Sequence, residues 1–102
     1  VKARSVVFSP EAREDLLILG DWIAERAGPA TALRYLARLE AACLGLSTAS
    51  ERGRRRDDIR PGLRVVGFER RITIAFVVSQ EQVTILRLHY GGLDWDRKSD
   101  PI

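Results

Sequence analysis

The chain is 102 residues long, enough for one domain and too few for two. Its hydrophobic content of 45% excludes global disorder, and no apolar run approaches the ~20 residues of a membrane-spanning helix. The net charge is +3 and the first residues carry no apolar run of signal-peptide type, so the expected compartment is the cytoplasm, with no membrane contact.

Residues 3–8 carry β-branched and aromatic side chains and predict a short strand. Ser9 then offers a helix N-cap, Pro10 suits the first helical position, and Glu11 complements the helix dipole. Apolar residues recur at Ala12, Leu16, Leu19 and Ile23, spaced 4, 3 and 4, so one stripe of the first helix faces a core. Gly28 ends that helix and Pro29 opens another at once, which predicts an αα-hairpin. Ala32, Leu36, Leu39, Cys43 and Leu46 repeat the stripe. The periodicity vanishes over 47–56, a polar and basic loop. From Leu63 the period shortens, and strands are expected over 63–68, 72–78 and 83–90, the last two joined by a short polar link at 79–82. Residues 91–102 are polar; the domain is expected to cover 1–95, with 96–102 as a polar tail.

The order strand, helix, helix, strand, strand, strand makes a single α+β domain. Each amphipathic element has one face to bury, so the economical packing is an antiparallel sheet with the helical hairpin on one face. The lone cysteine, Cys43, cannot form an internal disulfide and lies on the apolar stripe, so it reads as buried and structural. No cofactor and no metal site is expected.

Some residues exceed what a core requires. At ~100° per residue, Ile18 and Trp22 lie on a flank of the first helix's stripe, and Leu17 points well away from it. They either widen the buried face or anchor a partner helix laid against the hairpin. Among 17 basic residues only Lys2 and Lys98 are lysines. A GC-rich coding sequence would also favour arginine, so position carries more than number. Arg52, Arg54, Arg55, Arg56, Arg60, Arg64, Arg70 and Arg71 lie close together, opposed by Asp57, Asp58 and Glu69. No aromatic residue interleaves with them from Arg52 to Arg64, which argues against direct nucleic-acid binding and for a patch that captures acidic protein.

Four local patterns then carry a resemblance. They are Ser9-Pro10-Glu11-Ala12 followed by Asp15-Leu16; Trp22-Ile23-Ala24-Glu25-Arg26; Gly53-Arg54-Arg55-Arg56 running into Ile59-Arg60-Pro61-Gly62-Leu63-Arg64; and Ile85-Leu86-Arg87-Leu88-His89-Tyr90-Gly91-Gly92-Leu93-Asp94-Trp95. Together, in this order, they resemble the ParE branch of the ParE/RelE toxin superfamily over nearly the whole chain. The resemblance implies the RelE/ParE-like fold and a toxin silenced in a hetero-oligomeric complex with a ParD-like acidic antitoxin. It also implies DNA gyrase as the target, whereas RelE-like relatives are ribosome-dependent messenger-RNA endoribonucleases. On this reading Leu17, Ile18, Trp22, Arg54, Arg55 and Arg56 contact the antitoxin, and Arg64, Arg71, Arg87, His89 and Tyr90 form the candidate toxic surface.

A nuclease must activate a ribose hydroxyl, stabilise a phosphorane and protonate a leaving oxygen, with basic groups and a tyrosine or histidine on the last strands. Arg87 and His89, two apart on one strand, and the adjoining Tyr90 offer such groups. Nuclease relatives commonly carry an arginine where this chain has Thr73. The expectation is therefore inhibition by binding, without catalysis. Val77 also stands where ParE-like chains often place an arginine, which removes a charge from the toxic surface.

Overall fold

The computed structural model describes residues 3–91. Strand β1 (Ser5–Phe8) leads into helices α1 (Pro10–Ala27) and α2 (Pro29–Leu44), a 3-10 turn (Gly45–Ser47), and strands β2 (Arg54–Arg55), β3 (Arg64–Phe68), β4 (Ile72–Val78) and β5 (Gln82–Tyr90). None of the described helices is long and apolar enough to cross a membrane.

The helix boundaries follow the expected chemistry. The Ser9 hydroxyl accepts the Ala12 N–H at 3.0 Å, and Pro10 stands in the first turn. Gly28, at φ 94°, serves both helices: its N–H donates to the Ala24 carbonyl, and its own carbonyl accepts from Ala32. Pro29 then starts α2 without a missing hydrogen bond.

The sheet order is β1-β5-β4-β3-β2. The strands from β2 to β5 pair antiparallel, as expected for hairpins, but β1 pairs with β5 in parallel, so the sheet is mixed. The reason is topological. The chain reverses at each connection, and β5 comes an even number of reversals after β1. Residues 47–56, expected as loop, also yield the short edge strand β2, paired through Arg54 with Val65 and Arg55 with Arg64.

Both helices cover one sheet face. Leu19, Ile23, Leu39, Cys43 and Leu46 pack there against Ile74, Phe76, Val83 and Ile85. The other face carries a smaller cluster in which Leu63 and Ala75 meet Ile59, Val65, Val77 and Leu86. The segment between β2 and β3 supplies this second cover, closed by the Arg56 N–H donating to the Leu63 carbonyl at 2.8 Å.

Strand β5 is not regular. Ala75 pairs with Arg87 while Phe76 pairs with Ile85, which leaves Leu86 as a bulge. The start of α1 satisfies the backbone that the bulge exposes. The Ser9 N–H donates to the Ile85 carbonyl at 2.9 Å, the Ser9 hydroxyl to the Leu86 carbonyl at 2.8 Å, and the Leu88 N–H to Asp15 at 2.9 Å. The Ser9 and Asp15 positions of the first sequence pattern thus fasten α1 to β5.

Two expected outcomes follow from this packing. Cys43 has no exposed surface, and burial, reinforced by the charge of Glu40, pushes its thiol up to about 12. Native protein should therefore react with a thiol reagent at least ~100-fold more slowly than denatured protein, measured by labelling kinetics at pH 8. The second concerns Gly53, at φ 81°, where an added Cβ would collide with the Val65 carbonyl oxygen. Gly53→Ala should lose about 2 kcal/mol in urea denaturation and release β2 from the sheet edge. Gly45→Ala, at φ −64° with no neighbour in reach of the new methyl, is the matched control and should leave the midpoint unchanged or raised.

Candidate functional site

The outer side of the helical hairpin is not closed. Gly20 on α1 meets Leu36 of α2 so closely that a Cβ would stand 3.0 Å from the Leu36 Cδ1. Beside this contact lies an apolar groove of ≈ 360 Å³ lined by Leu16, Leu17, Gly20, Ala24, Pro29, Ala32, Leu33 and Leu36, with Asp21 as its one charged lining residue. Leu17 and Leu33 are each 70% exposed. Exposed leucines flanking a groove suit a partner's apolar side chains better than they suit water. Leu17 was expected to face a partner. Leu33 was missed, although an off-stripe leucine on α2 is the same signal that marked Leu17 on α1.

Ile18 and Trp22 do not join Leu17. They lie on the opposite flank of α1, toward the end of β5. The Trp22 ring stacks on Tyr90 with centroids 4.8 Å apart and planes tilted by 51°. The Arg26 guanidinium covers Trp22 at 4.1 Å from the ring centroid and donates to the Trp22 carbonyl at 3.2 Å. Arg71 donates to the Tyr90 hydroxyl at 3.2 Å. Trp22 keeps 38% of its surface exposed and Ile18 keeps 60%. Trp22 is therefore neither a core residue nor a bare anchor; it belongs to a cation and ring cluster at one end of the sheet.

The arginine loop is substantially self-neutralised. Arg55 grips Asp57 through two hydrogen bonds of 3.0 and 3.2 Å, and Arg56 grips Asp58 through two of 2.9 and 2.8 Å. The hydrogen bonds from Arg56 hold the Asp58 carboxyl down at about 2, and those from Arg55 and the Gly62 N–H lower Asp57. Arg64 donates to the Glu51 and Arg52 carbonyls, fastening the loop to β3. Arg38 on α2 likewise holds Glu69 in two hydrogen bonds. Arg52, Arg54 and Arg60 are exposed and form no ion pair among the described residues.

The residues assigned to a toxic surface do not form one constellation. Arg87 and His89 fall opposite Ala75 and Thr73, the same-face register expected of them. The Arg87 guanidinium, however, is held by Asp15 of α1 at 2.9 and 3.2 Å, in a pair whose side chains are only 22% and 13% exposed. His89 is 8% exposed. Tyr90 packs with the helix-side core and Trp22, Arg71 sits beside it, and Arg64 points to the loop carbonyls. No group of histidine, cysteine and carboxylate side chains that could hold a metal exists among the described residues. Leu93, Asp94 and Trp95 of the fourth sequence pattern, and the tail at 96–102, lie outside the described residues.

Comparison with known proteins agrees with this architecture. A chain of the chromosomal ParDE toxin–antitoxin system of P. aeruginosa superimposes with a TM-score of 0.76 at 24% identity, over 87% of this chain and 97% of that one. A chain of the toxin–antitoxin complex RelBE2 of Mycobacterium tuberculosis gives 0.64 at 23% identity, over 88% and 93%. At such identities these likenesses establish the fold. No curated protein sequence matches the chain. The family described as the ParE toxin of the type II toxin–antitoxin system parDE matches residues 6–95. A match over that span includes the hairpin groove, the arginine loop and all of the sheet but Ser5, and the chain belongs to the ParE family of type II toxins.

Proposed function

We propose that this ParE-family toxin acts by binding DNA gyrase, without catalysis, and that a ParD-like acidic antitoxin silences it by laying an amphipathic helix in the groove between α1 and α2. The observation that carries the non-catalytic half is the dispersal of the candidate catalytic groups. Acid–base cleavage of RNA needs a base, an acid and a phosphate stabiliser around one reacting atom. Here Arg87 is committed to Asp15 and Tyr90 to the Trp22 stack, while His89, on Arg87's register face and not Tyr90's, is buried. The groove supports the antitoxin half. Its lining is apolar, both of its rims carry exposed leucine, and a helix is the partner element that such a channel accepts. Of the arginines first assigned to the antitoxin, Arg54 offers a guanidinium outside any local ion pair, while Arg55 and Arg56 would have to exchange Asp57 and Asp58 for partner carboxylates.

The test pairs two measurements on purified toxin. Gyrase-catalysed supercoiling should fall as toxin is added, and transcript ends mapped on translating ribosomes should show no codon-positioned cleavage. The ribonuclease reading wins instead if such cleavage occurs and is lost in His89→Gln while the folded fraction is unchanged.

A further inference from the structure

We infer that Arg26, Trp22, Tyr90 and Arg71 form a second docking surface, distinct from the groove, for an acidic segment of the antitoxin, so that binding there masks the end of β5. This inference rests on the antitoxin reading above. The four side chains alternate in space as cation, ring, ring, cation. The contacts are 4.1 Å from Arg26 to the Trp22 centroid, 4.8 Å between the rings and 3.2 Å from Arg71 to the Tyr90 hydroxyl. Guanidinium groups only donate hydrogen bonds, so the complementary partner brings anionic acceptors, and the rings add apolar area between them.

Among the described residues, local acids leave this charge largely uncompensated. Glu69 is held by Arg38, and Glu25 approaches Arg26 only at 3.8 Å with 78% of its own side chain exposed. Arg70, next in the chain to Arg71, is exposed and has no ion pair among the described residues. The arginine loop differs, because Arg55 and Arg56 already hold Asp57 and Asp58.

The backbone supplies an independent sign that the turn leading into Arg71 is held at a cost. The turn between β3 and β4 holds Glu69 at φ 50° and Arg70 at φ 62°, a left-handed pair where an Asn-Gly turn would be relaxed. Left-handed non-glycine residues bring Cβ too close to the following carbonyl oxygen and are sterically unfavourable. The turn closes with the Arg71 N–H on the Phe68 carbonyl, and the Gly91 N–H donates to the Arg71 carbonyl at 2.6 Å, so the arginine is fixed beside Tyr90. Trp22 also lies ~140° around α1 from Leu17, by helix geometry, so one helix seated in the groove cannot cover both. A second segment of the partner must cross this end of the sheet.

The probe is the protein encoded by the reading frame adjoining the toxin gene. The toxin carries Trp95→Phe, which leaves Trp22 as its one tryptophan of the 2 in the chain. Arg26→Gln with Arg70→Gln should slow association about tenfold at low salt, and the gap should close at high salt, as for charges that steer encounter. Trp22 emission should shift on complex formation. Arg70→Gln alone, at an exposed residue outside the stack, should give part of the slowing if Arg26→Gln disturbs the stack. Arg52→Gln with Arg60→Gln, two exposed arginines assigned to neither antitoxin surface, is the control and should change the rate less than about twofold. Unchanged rates and unchanged Trp22 emission in a complex that still forms overturn the inference and leave the groove reading standing. Slowing in the Arg52 and Arg60 control alone moves the acidic segment to the loop and also overturns it. Failure of the unmodified toxin to bind the probe removes the antitoxin reading and this inference together.

Discussion

Arg87→Ala should destabilise the toxin by about 3 kcal/mol, the low end for removing one member of a mostly buried ion pair. Asp15 and Arg87 meet through two hydrogen bonds with little exposure, and the same carboxylate also accepts the Leu88 N–H beside the Leu86 bulge. Removing the guanidinium leaves a shielded carboxylate facing an irregular strand. Asp15→Ala should cost as much or more, because Leu88 also loses its acceptor. The double variant should lose less than the sum of the two, and the shortfall measures their coupling in urea denaturation. Strict additivity of the single effects would show that the pair is incidental. The result also bears on function. A loss of toxicity in Arg87→Ala would report unfolding, so that variant cannot stand as a test of catalysis.

Leu17→Asp with Leu33→Asp should abolish antitoxin binding while leaving the toxin folded. Both side chains are 70% exposed in the free protein, so their replacement should move the unfolding midpoint by no more than ~0.5 kcal/mol. In the complex the same positions would place two desolvated carboxylates against apolar partner side chains. A hot-spot loss of 3 kcal/mol or more, roughly a hundredfold or greater in Kd, is the expected scale. Calorimetric titration of the folded variant with the partner checks this. Trp22→Ala should behave differently. It should lose free-toxin stability along with binding, because its ring packs on Tyr90 in the absence of any partner.

The helical half of the fold was legible because its determinants are local. Ser9, Pro10, Gly28 and Pro29 state where the helices begin and end, and the 4-3-4 spacing states which side is buried. The sheet was legible only in part. Hairpin strands announce themselves by alternation, but the parallel β1 and β5 pairing joins Ser5 to Gln82, which no short pattern encodes. Strand β2 is two arginines long and has no period at all. The Asp15 and Arg87 pair spans 72 residues, so Arg87 read as a free functional group until the tertiary contact was seen. The same distance effect separated the site residues. Leu17, Ile18 and Trp22 share one assignment to the antitoxin in sequence, yet the fold gives Leu17 to the groove and Trp22 to Tyr90. The lack of aromatics holds along the chain only from Arg52 to Arg64, and in space Trp22 and Tyr90 lie between Arg26 and Arg71.

These contacts divide labour along α1. Its core stripe holds the sheet, Asp15 fixes the bulge, Leu17 borders the groove and Trp22 the cationic cluster. One helix thereby couples stability to both proposed partner surfaces, which is why only the exposed leucines separate binding from folding.

The most direct test of the central claim is growth after induction in three strains. They carry the toxin alone, the toxin with the protein from the adjoining reading frame, and the Leu17→Asp, Leu33→Asp toxin with that same protein. The account predicts arrest in the first, recovery in the second and arrest in the third, with the variant alone as toxic as the unmodified protein. Recovery of the third strain to the level of the second would contradict it, because the groove would then play no part in neutralisation.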